Sequence, residues 1–321
     1  MTRTPLRVAL AAPLDADLAA QLVTLEPRIE IHDQHSTADA LFGLPPEGPE
    51  KIAEVVSDNP RLRWVHGMAS GTAAEVRRAG LTPAQIDRVR FTTSAGPHGQ
   101  PLAEFALLCL LAGAKDLPRL QAQQRRREWA PPWTMTHLAQ ATVAVVGLGH
   151  IGRECARAVQ GLGARVVGVN RTPRHVDGVE PVVPLESFAD VVPDVDAIVL
   201  ALPEADGTRH VLSRDVLSRM LPGTLVVNVG RGSSVDTAAL VAALEDGTVG
   251  FAGLDVVDPE PLPRDHPLWS LDNVLISPHT AARRDDQTLS IVRMFAENAT
   301  RLLDGRDLVN EVLRDELLGG T

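Results

Sequence analysis

Short apolar runs alternate with stretches of helical periodicity from residue 6 almost to the end of the chain. In the first third the pattern predicts strands at Leu6–Leu10, Ile29–His32, Ala40–Phe42, Leu62–His66 and Val89–Thr92. Helices are predicted between them at Leu14–Leu25 and Glu50–Val56. Pro101–Ala114 reads as a long apolar helix with Glu104 in its first turn. Lys115–Arg127 continues it with polar character, broken at Pro118, and Glu128–Trp133 is a loop rich in proline and tryptophan. Six more strands follow, at Thr142–Val146, Arg165–Val169, Ala197–Leu202, Leu225–Val229, Gly250–Leu254 and Val274–Ile276, then a helix over Asp286–Leu303. Regular alternation of strand and helix implies parallel sheets covered by helices, an α/β class. At 321 residues the chain is long enough for two such domains, each with its own core.

The first strand of the second series carries the most specific signal. Thr142-Val143-Ala144-Val145-Val146 runs straight into Gly147-Leu148-Gly149-His150-Ile151-Gly152, and an amphipathic pattern begins at Arg153 with Ala156, Val159 and Leu162 on one face. G-x-G-x-x-G alone is weak, because glycine is common in turns. Between a strand and a helix it becomes a dinucleotide fingerprint. Gly147 permits the tight turn, Gly149 lets the backbone approach a pyrophosphate, and Gly152 allows close helix–strand packing. The helix start presents unpaired N–H groups and a positive dipole end to the phosphates.

Composition narrows the class without changing the picture. A hydrophobic content of 44% with 22% charged residues is that of an ordinary globular protein. Net charge of -10, with no Lys/Arg stripe to offset it, argues against a nucleic-acid partner. Arg125-Arg126-Arg127 reads as a solvated helix face. Cys109 and Cys155 both fall in helical patterns, as small core residues in a reducing cytoplasm would. The apolar start Leu6–Ala12 is short and broken by Pro13 and Asp15, so it reads as a first strand and not a signal peptide. No segment approaches the ~18 apolar residues that a membrane span needs. No metal site is expected.

Four turns at strand ends could carry chemistry. Met68-Ala69-Ser70-Gly71 follows the strand that ends at His66, where parallel sheets bind ligands, though it reads equally well as a plain loop. In Asn228-Val229-Gly230-Arg231-Gly232, Arg231 stands just past a Leu/Val strand and can fork onto a carboxylate or polarise a carbonyl. Asp255-Val256-Val257-Asp258-Pro259-Glu260-Pro261-Leu262 holds Glu260 between prolines, and Ser277-Pro278-His279-Thr280 places a histidine after the last strand. Singly, the last three are a surface charge, a turn residue and a loop histidine. Their convergence on the cofactor side of one sheet is what points to a catalytic site.

Taken with the fingerprint, these motifs resemble the D-isomer-specific 2-hydroxyacid dehydrogenase family. Pro267-Leu268-Trp269, Asn273-Val274, Gly96-Pro97-His98-Gly99 and Leu102-Ala103-Glu104 extend the match to roughly residues 60–310, while the first 60 residues match only in organisation. The resemblance implies two doubly wound parallel-sheet domains, a Rossmann domain (residues 99–283) inserted in a flavodoxin-like substrate domain (residues 1–98 with 284–321). It implies that Arg231 grips the substrate carboxylate and keto oxygen, and that the backbone of Ala69, Ser70 and Gly71 cradles the carboxylate from the other side. His279 would donate a proton to the carbonyl oxygen as hydride arrives, and Glu260 would hold its far ring nitrogen, fixing the tautomer and favouring imidazolium. Asp255 would touch the nicotinamide carboxamide, with His150, Ile151, Leu202, Pro203 and Val229 completing the cofactor contacts. Formate dehydrogenases of the same superfamily carry Gln at the position of Glu260, so Glu260 favours a hydroxyacid. The family also implies a homodimer, and the apolar helix Pro101–Ala114 would suit an interface or an interior position equally well.

The expected activity is reduction of a small 2-ketoacid of the glyoxylate or hydroxypyruvate kind. Two rivals stand beside it: a dinucleotide-sensing corepressor on the same fold, which would tolerate loss of the acid–base pair, and oxidation of another small anion such as a phosphonate. The cofactor follows from the end of the second strand of the fingerprint unit. An Asp or Glu there, roughly 20 residues past the glycines, would take the ribose 2′-OH. This chain has Asn170-Arg171-Thr172 instead, with no carboxylate before Asp177, so NADP(H) is favoured and NAD(H) remains possible.

Overall fold

A computed structural model describes residues 5–69, 71–96, 98–205 and 207–318. The chain divides into two compact units, Met1–Pro97 with Arg284–Thr321, and His98–Arg283.

The first unit is built on five parallel strands: β1 (Leu6–Leu10), β2 (Ile29–His32), β3 (Ala40–Phe42), β4 (Trp64–Gly67) and β5 (Arg90–Thr93). Their order, β2-β1-β3-β4-β5, is that of a flavodoxin-like doubly wound sheet. Two of its helices start where a side chain satisfies the first N–H groups. Asp15 accepts from the Leu18 N–H at 2.8 Å to open Ala16–Leu25, and a reciprocal Thr82–Gln85 capping box opens Pro83–Arg88. One face of the sheet buries Leu41, Val65, Val89 and Phe91 under Ile52, Val55 and Val56 of the helix Pro49–Asp58. The other buries Leu6, Val8, Phe42 and Trp64 under the helix Gln287–Leu303, whose Phe295 stacks on Trp64 at 4.3 Å between centroids. The predicted strand Leu62–His66 is displaced: pairing begins at Trp64 and runs through Gly67. The helices Thr72–Arg78 and Pro83–Arg88 were not foreseen, being too short for their periodicity to show.

Between Trp64 and Ser94 runs a buried polar chain. Trp64 Nε1 donates to Thr92 Oγ1 at 2.8 Å, Thr92 Oγ1 lies 2.7 Å from His66 Nδ1, and His66 Nε2 lies 3.0 Å from Ser94 Oγ, which donates to the Gly67 carbonyl at 2.9 Å. Every link is made if His66 is neutral with its proton on Nε2, a tautomer assigned from these partners. Burial accordingly holds the His66 pKa down, from 6.5 to about 4. Above pH 6.5 the folded and unfolded forms are both neutral here; as pH falls, the unfolded chain takes the proton first and folding is weakened. We predict that His66 alone removes about 3 kcal/mol of stability as pH falls from 6.5 to about 4. Urea midpoints across that range should fall more steeply for the wild type than for His66→Gln, and parallel slopes would refute the assignment.

The second unit carries seven parallel strands: β6 (Thr142–Val146), β7 (Arg165–Asn170), β8 (Val182–Pro184), β9 (Ala197–Leu200), β10 (Thr224–Asn228), β11 (Val249–Leu254) and β12 (Val274–Ile276). The order β12-β11-β10-β9-β6-β7-β8 is the dinucleotide-binding one with a strand added at one edge, and the strand order reverses between β6 and β9. Apolar β6 and β9, buried on both faces, sit at the centre. The expectation of six strands missed β8, a three-residue strand ending in proline that is tolerated because it lies at the sheet edge. Gly99–Ala114 is helical as expected, though it begins earlier, so Glu104 lies in its second turn. Pro118 does not break a continuing helix. It sits in the first turn of a new one, Leu117–Arg126, after Asp116 turns the chain in a left-handed conformation. Cys109 and Cys155 are buried and unpaired, with burial pushing both thiols up to about 12. Among the described residues no helix is long and apolar enough to cross a membrane.

Candidate active site

Parallel strands deliver their carboxyl ends to one edge of a sheet, so the loops after β6, β9, β10, β11 and β12 stand in a row. The first is the glycine turn. Gly147 has φ +95°, and a Cβ on it would lie 2.8 Å from the Ala201 carbonyl oxygen and 3.1 Å from a Leu202 methyl, so the β9 loop closes over it. A Cβ on Gly152 would stand 1.8 Å from the Gly147 carbonyl oxygen, which no packing adjustment relieves. The helix His150–Gln160 can start against the turn only because both are glycine. Around the Cβ position of Gly149 nothing lies within 4 Å, so the turn opens onto free space. The N–H groups of His150, Ile151 and Gly152 are in the first helical turn and have no intrahelical acceptor. An open cradle backed by a helix N-terminus fits a dinucleotide pyrophosphate.

At the end of β7 the three predicted cofactor residues are together but not equivalent. The Asn170 side chain accepts from the Leu148 N–H at 3.4 Å and donates to the Thr172 carbonyl at 3.0 Å, tying the glycine turn to the strand end. Its amide is thus committed to the backbone of Leu148 and Thr172. Arg171 and Thr172 are exposed, and Arg171 has no ion-pair partner among the described residues. Leu202 and Val229 are buried in the row of loops and Pro203 is exposed at its surface.

Past β10, Asn228 shapes the arginine loop. Its Oδ1 accepts from the Gly230 N–H at 3.0 Å and its Nδ2 donates to the Arg231 carbonyl at 2.9 Å. Arg231 is half-buried, and Nη1 donates to the Gly230 carbonyl at 2.7 Å. No carboxylate among the described residues pairs with its guanidinium. Gly232 then passes directly under the β11 loop, where a Cβ would come within 1.9 Å of the Val257 carbonyl oxygen.

The β11 and β12 loops together hold the histidine. Glu260 Oε2 lies 2.9 Å from His279 Nδ1, while Oε1 accepts from the Val257 N–H at 3.1 Å. A carboxylate with both oxygens so placed faces an Nδ1–H, which leaves Nε2 as the nitrogen able to give or take a proton. His279 itself has φ +53°, a left-handed conformation that costs a non-glycine residue about 1–2 kcal/mol. Asp255 supplies the restraint. The His279 N–H donates to the Asp255 carbonyl at 2.9 Å, and Asp255 Oδ1 accepts from Ser277 Oγ at 2.7 Å and from the Thr280 and Ala281 N–H groups at 3.0 Å each. Asp255 is buried, at 2% exposure, so these bonds form away from water. Neither this work by Asp255 nor the parts played by Asn228 and Ser277 was foreseen. Their signal was a polar residue closing an apolar strand, which the motifs contained.

In the first unit, the turn after β4 has Ala69 and Gly71 among the described residues, whereas Ser70 lies outside them. Thr72 Oγ1 donates to the Ala69 carbonyl at 2.7 Å and Gly71 caps the helix Thr72–Arg78.

Known proteins resemble this chain in sequence and in fold. Residues 107–281 match the family model described as D-isomer specific 2-hydroxyacid dehydrogenase, NAD binding domain. A glyoxylate reductase of Aeropyrum pernix is 31% identical over 87% of this chain and 84% of its own length. A glyoxylate/hydroxypyruvate reductase A of Serratia proteamaculans is 30% identical over 71% of this chain and 74% of its own length. Among solved structures, a D-isomer specific 2-hydroxyacid dehydrogenase of Xanthobacter autotrophicus Py2, in complex with NADPH and MES, superimposes with a TM-score of 0.79 at 27% identity, covering 98% of this chain and 99% of that one. With the fingerprint, the fold and relatives along most of its length in agreement, the chain belongs to the D-isomer specific 2-hydroxyacid dehydrogenase family, oxidoreductases that work with a nicotinamide dinucleotide.

Proposed function

We propose that this protein reduces a small 2-ketoacid of the glyoxylate or hydroxypyruvate class, with NADPH preferred over NADH. The observation that carries the reading is the His279–Glu260 pair at 2.9 Å, two strand ends along from an Arg231 that has no carboxylate partner among the described residues. The glyoxylate reductases among its relatives support the choice of substrate.

In this reading His98–Arg283 is the dinucleotide-binding domain and the other unit is the substrate domain. A bound reduced nicotinamide supplies the hydride. Arg231 holds the substrate carboxylate through its planar fork and draws electron density from the keto oxygen. His279 gives the Nε2 proton to that oxygen and takes it back in oxidation, while Glu260 keeps the Nδ1 proton in place and stabilises the imidazolium. Asp255 holds the histidine loop in its strained conformation. The backbone N–H groups of the turn Ala69–Gly71, in the substrate domain, are assigned to the carboxylate as well.

The preference for NADPH rests on Asn170-Arg171-Thr172. With the Asn170 amide engaged by Leu148 and Thr172, the 2′-phosphate would be met by the Arg171 guanidinium and the Thr172 hydroxyl. A charged hydrogen bond of this kind corresponds to about 10- to 100-fold in kcat/KM for NADPH over NADH. A panel of 2-ketoacids with each reduced cofactor tests both parts. Turnover of glyoxylate or hydroxypyruvate is expected, with the preference relaxed in Asn170→Asp/Arg171→Ala. No turnover of any ketoacid would overturn the activity, and equal or better use of NADH would overturn the preference. We also assign a homodimer, on the exposed Leu108, Leu120 and Trp129 of segment 99–133; a solution mass of 34.4 kDa, one chain, would exclude it.

A further inference from the structure

The buried chain through His66 ends at the turn assigned to the substrate carboxylate, and the two are covalently continuous. Ser94 holds the Gly67 carbonyl twice, through its N–H at 3.0 Å and through Oγ at 2.9 Å. Gly67 is the last residue of β4, and Met68, Ala69, Ser70 and Gly71 follow it. On its other side Gly67 is pressed against Thr72, whose Oγ1 would lie 2.0 Å from a Cβ at residue 67. The same Thr72 Oγ1 fixes the Ala69 carbonyl at 2.7 Å. Gly67 and Ala69, on the entering side of the turn, are therefore held by Ser94 and Thr72, and the orientation of the Ser94 hydroxyl is decided by His66.

His66, Thr92 and Ser94 are fully buried, and a core position would normally be filled by an apolar side chain. Around His66 stand Trp64 and Thr92 in the neighbouring strand positions, Ser94 beyond β5, and the Phe295 ring at 5.6 Å. The chain has one consistent direction. With Thr92 Oγ1 accepting from the indole, its own proton goes to His66 Nδ1. That puts the imidazole proton on Nε2, and the Ser94 proton is then directed to Gly67. An apolar residue at 66 would leave Ser94 Oγ without its donor and Thr92 without its acceptor.

We propose that His66 and Ser94 are positioning residues for substrate: acting through the Gly67 carbonyl, they fix the chain where it enters the turn assigned to the carboxylate. The proposal rests on the assignment of that turn under the proposed function. The test is steady-state kinetics with glyoxylate and NADPH on Ser94→Ala, His66→Leu, His66→Gln and Gly71→Pro, each with its melting temperature. Ser94→Ala and His66→Leu should raise the KM for glyoxylate roughly tenfold, the size of one well-placed hydrogen bond, with kcat and the KM for NADPH near wild type. His66→Gln keeps an N–H donor for Ser94 and should restore much of the loss. A merely structural role would lower the melting temperature and leave the KM of the folded enzyme unchanged, and that result overturns the proposal. Gly71→Pro removes one of the N–H groups of the turn itself. A raised KM there with a normal KM in Ser94→Ala sinks the relay alone, whereas a normal KM in Gly71→Pro sinks the carboxylate turn. Should His66→Leu fail to fold, Ser94→Ala, which removes one oxygen, still decides the matter.

Discussion

Replacing His279 by alanine is expected to lower kcat for ketoacid reduction by about 10²–10⁴-fold, the range that general acid–base catalysis supplies. The hydride can still arrive, but the developing alkoxide has no proton donor in place and must wait for water. Binding of the dinucleotide should change little, because the glycine cradle lies at β6 and the histidine after β12, several strands away in the sheet. Glu260→Gln should give a smaller loss in kcat. An amide can still accept the Nδ1–H at the 2.9 Å position, but it offers no charge to balance the imidazolium. Pre-steady-state measurement of nicotinamide oxidation separates this chemical step from product release. If His279→Ala turned over at a rate near wild type, the proton would have to come from elsewhere and the acid–base assignment would fall.

Arg231→Lys is expected to cost about 10²-fold in kcat/KM for the ketoacid, although charge is conserved. Lysine offers a point charge on a flexible stem where arginine presents two parallel N–H groups in one plane. In this loop the plane is set in advance. Asn228 fixes the backbone on both sides of Gly230, and Nη1 is anchored on the Gly230 carbonyl at 2.7 Å. A lysine ammonium would lose that anchor together with the fork. Under the proposed function much of the effect should appear in KM, from holding the carboxylate before the reaction, and a contribution of the fork to the keto oxygen should appear in kcat. The KM for NADPH should stay near its wild-type value. Unchanged kcat/KM would show that another group holds the carboxylate.

Much of the fold was legible because strand and helix differ in hydrophobic period and because β6, β9, β10 and β11 are long apolar runs. Among the short elements β1, β2, β3 and β12 stand where the pattern put them, whereas β8 and Thr72–Arg78 were missed, since one or two turns or pleats contain too few positions to establish a period unless turn residues bound the run. Pro118 was misread for a different reason: a proline in the first turn of a helix and one that ends a helix have the same local sequence, and only the left-handed Asp116 before it separates the two.

The site divides in the same way. Gly147, Gly152, Arg231, Glu260 and His279 were singled out from sequence because each lies in a local motif, where a turn, a fork or an acid–base group needs a particular residue type within a few positions of a strand end. What those residues rest on came only from the tertiary structure. Asp255 meets Thr280 and Ala281 across 25 and 26 residues of chain, His66 meets Ser94 across 28, and Gly232 is glycine because the Val257 carbonyl of the next loop occupies the place of a Cβ. Local periodicity and motif record what a residue's immediate backbone requires. Hydrogen bonds and close approaches between separate strand ends depend on strand order and register, which are set by packing of the whole sheet and leave no mark at either partner alone.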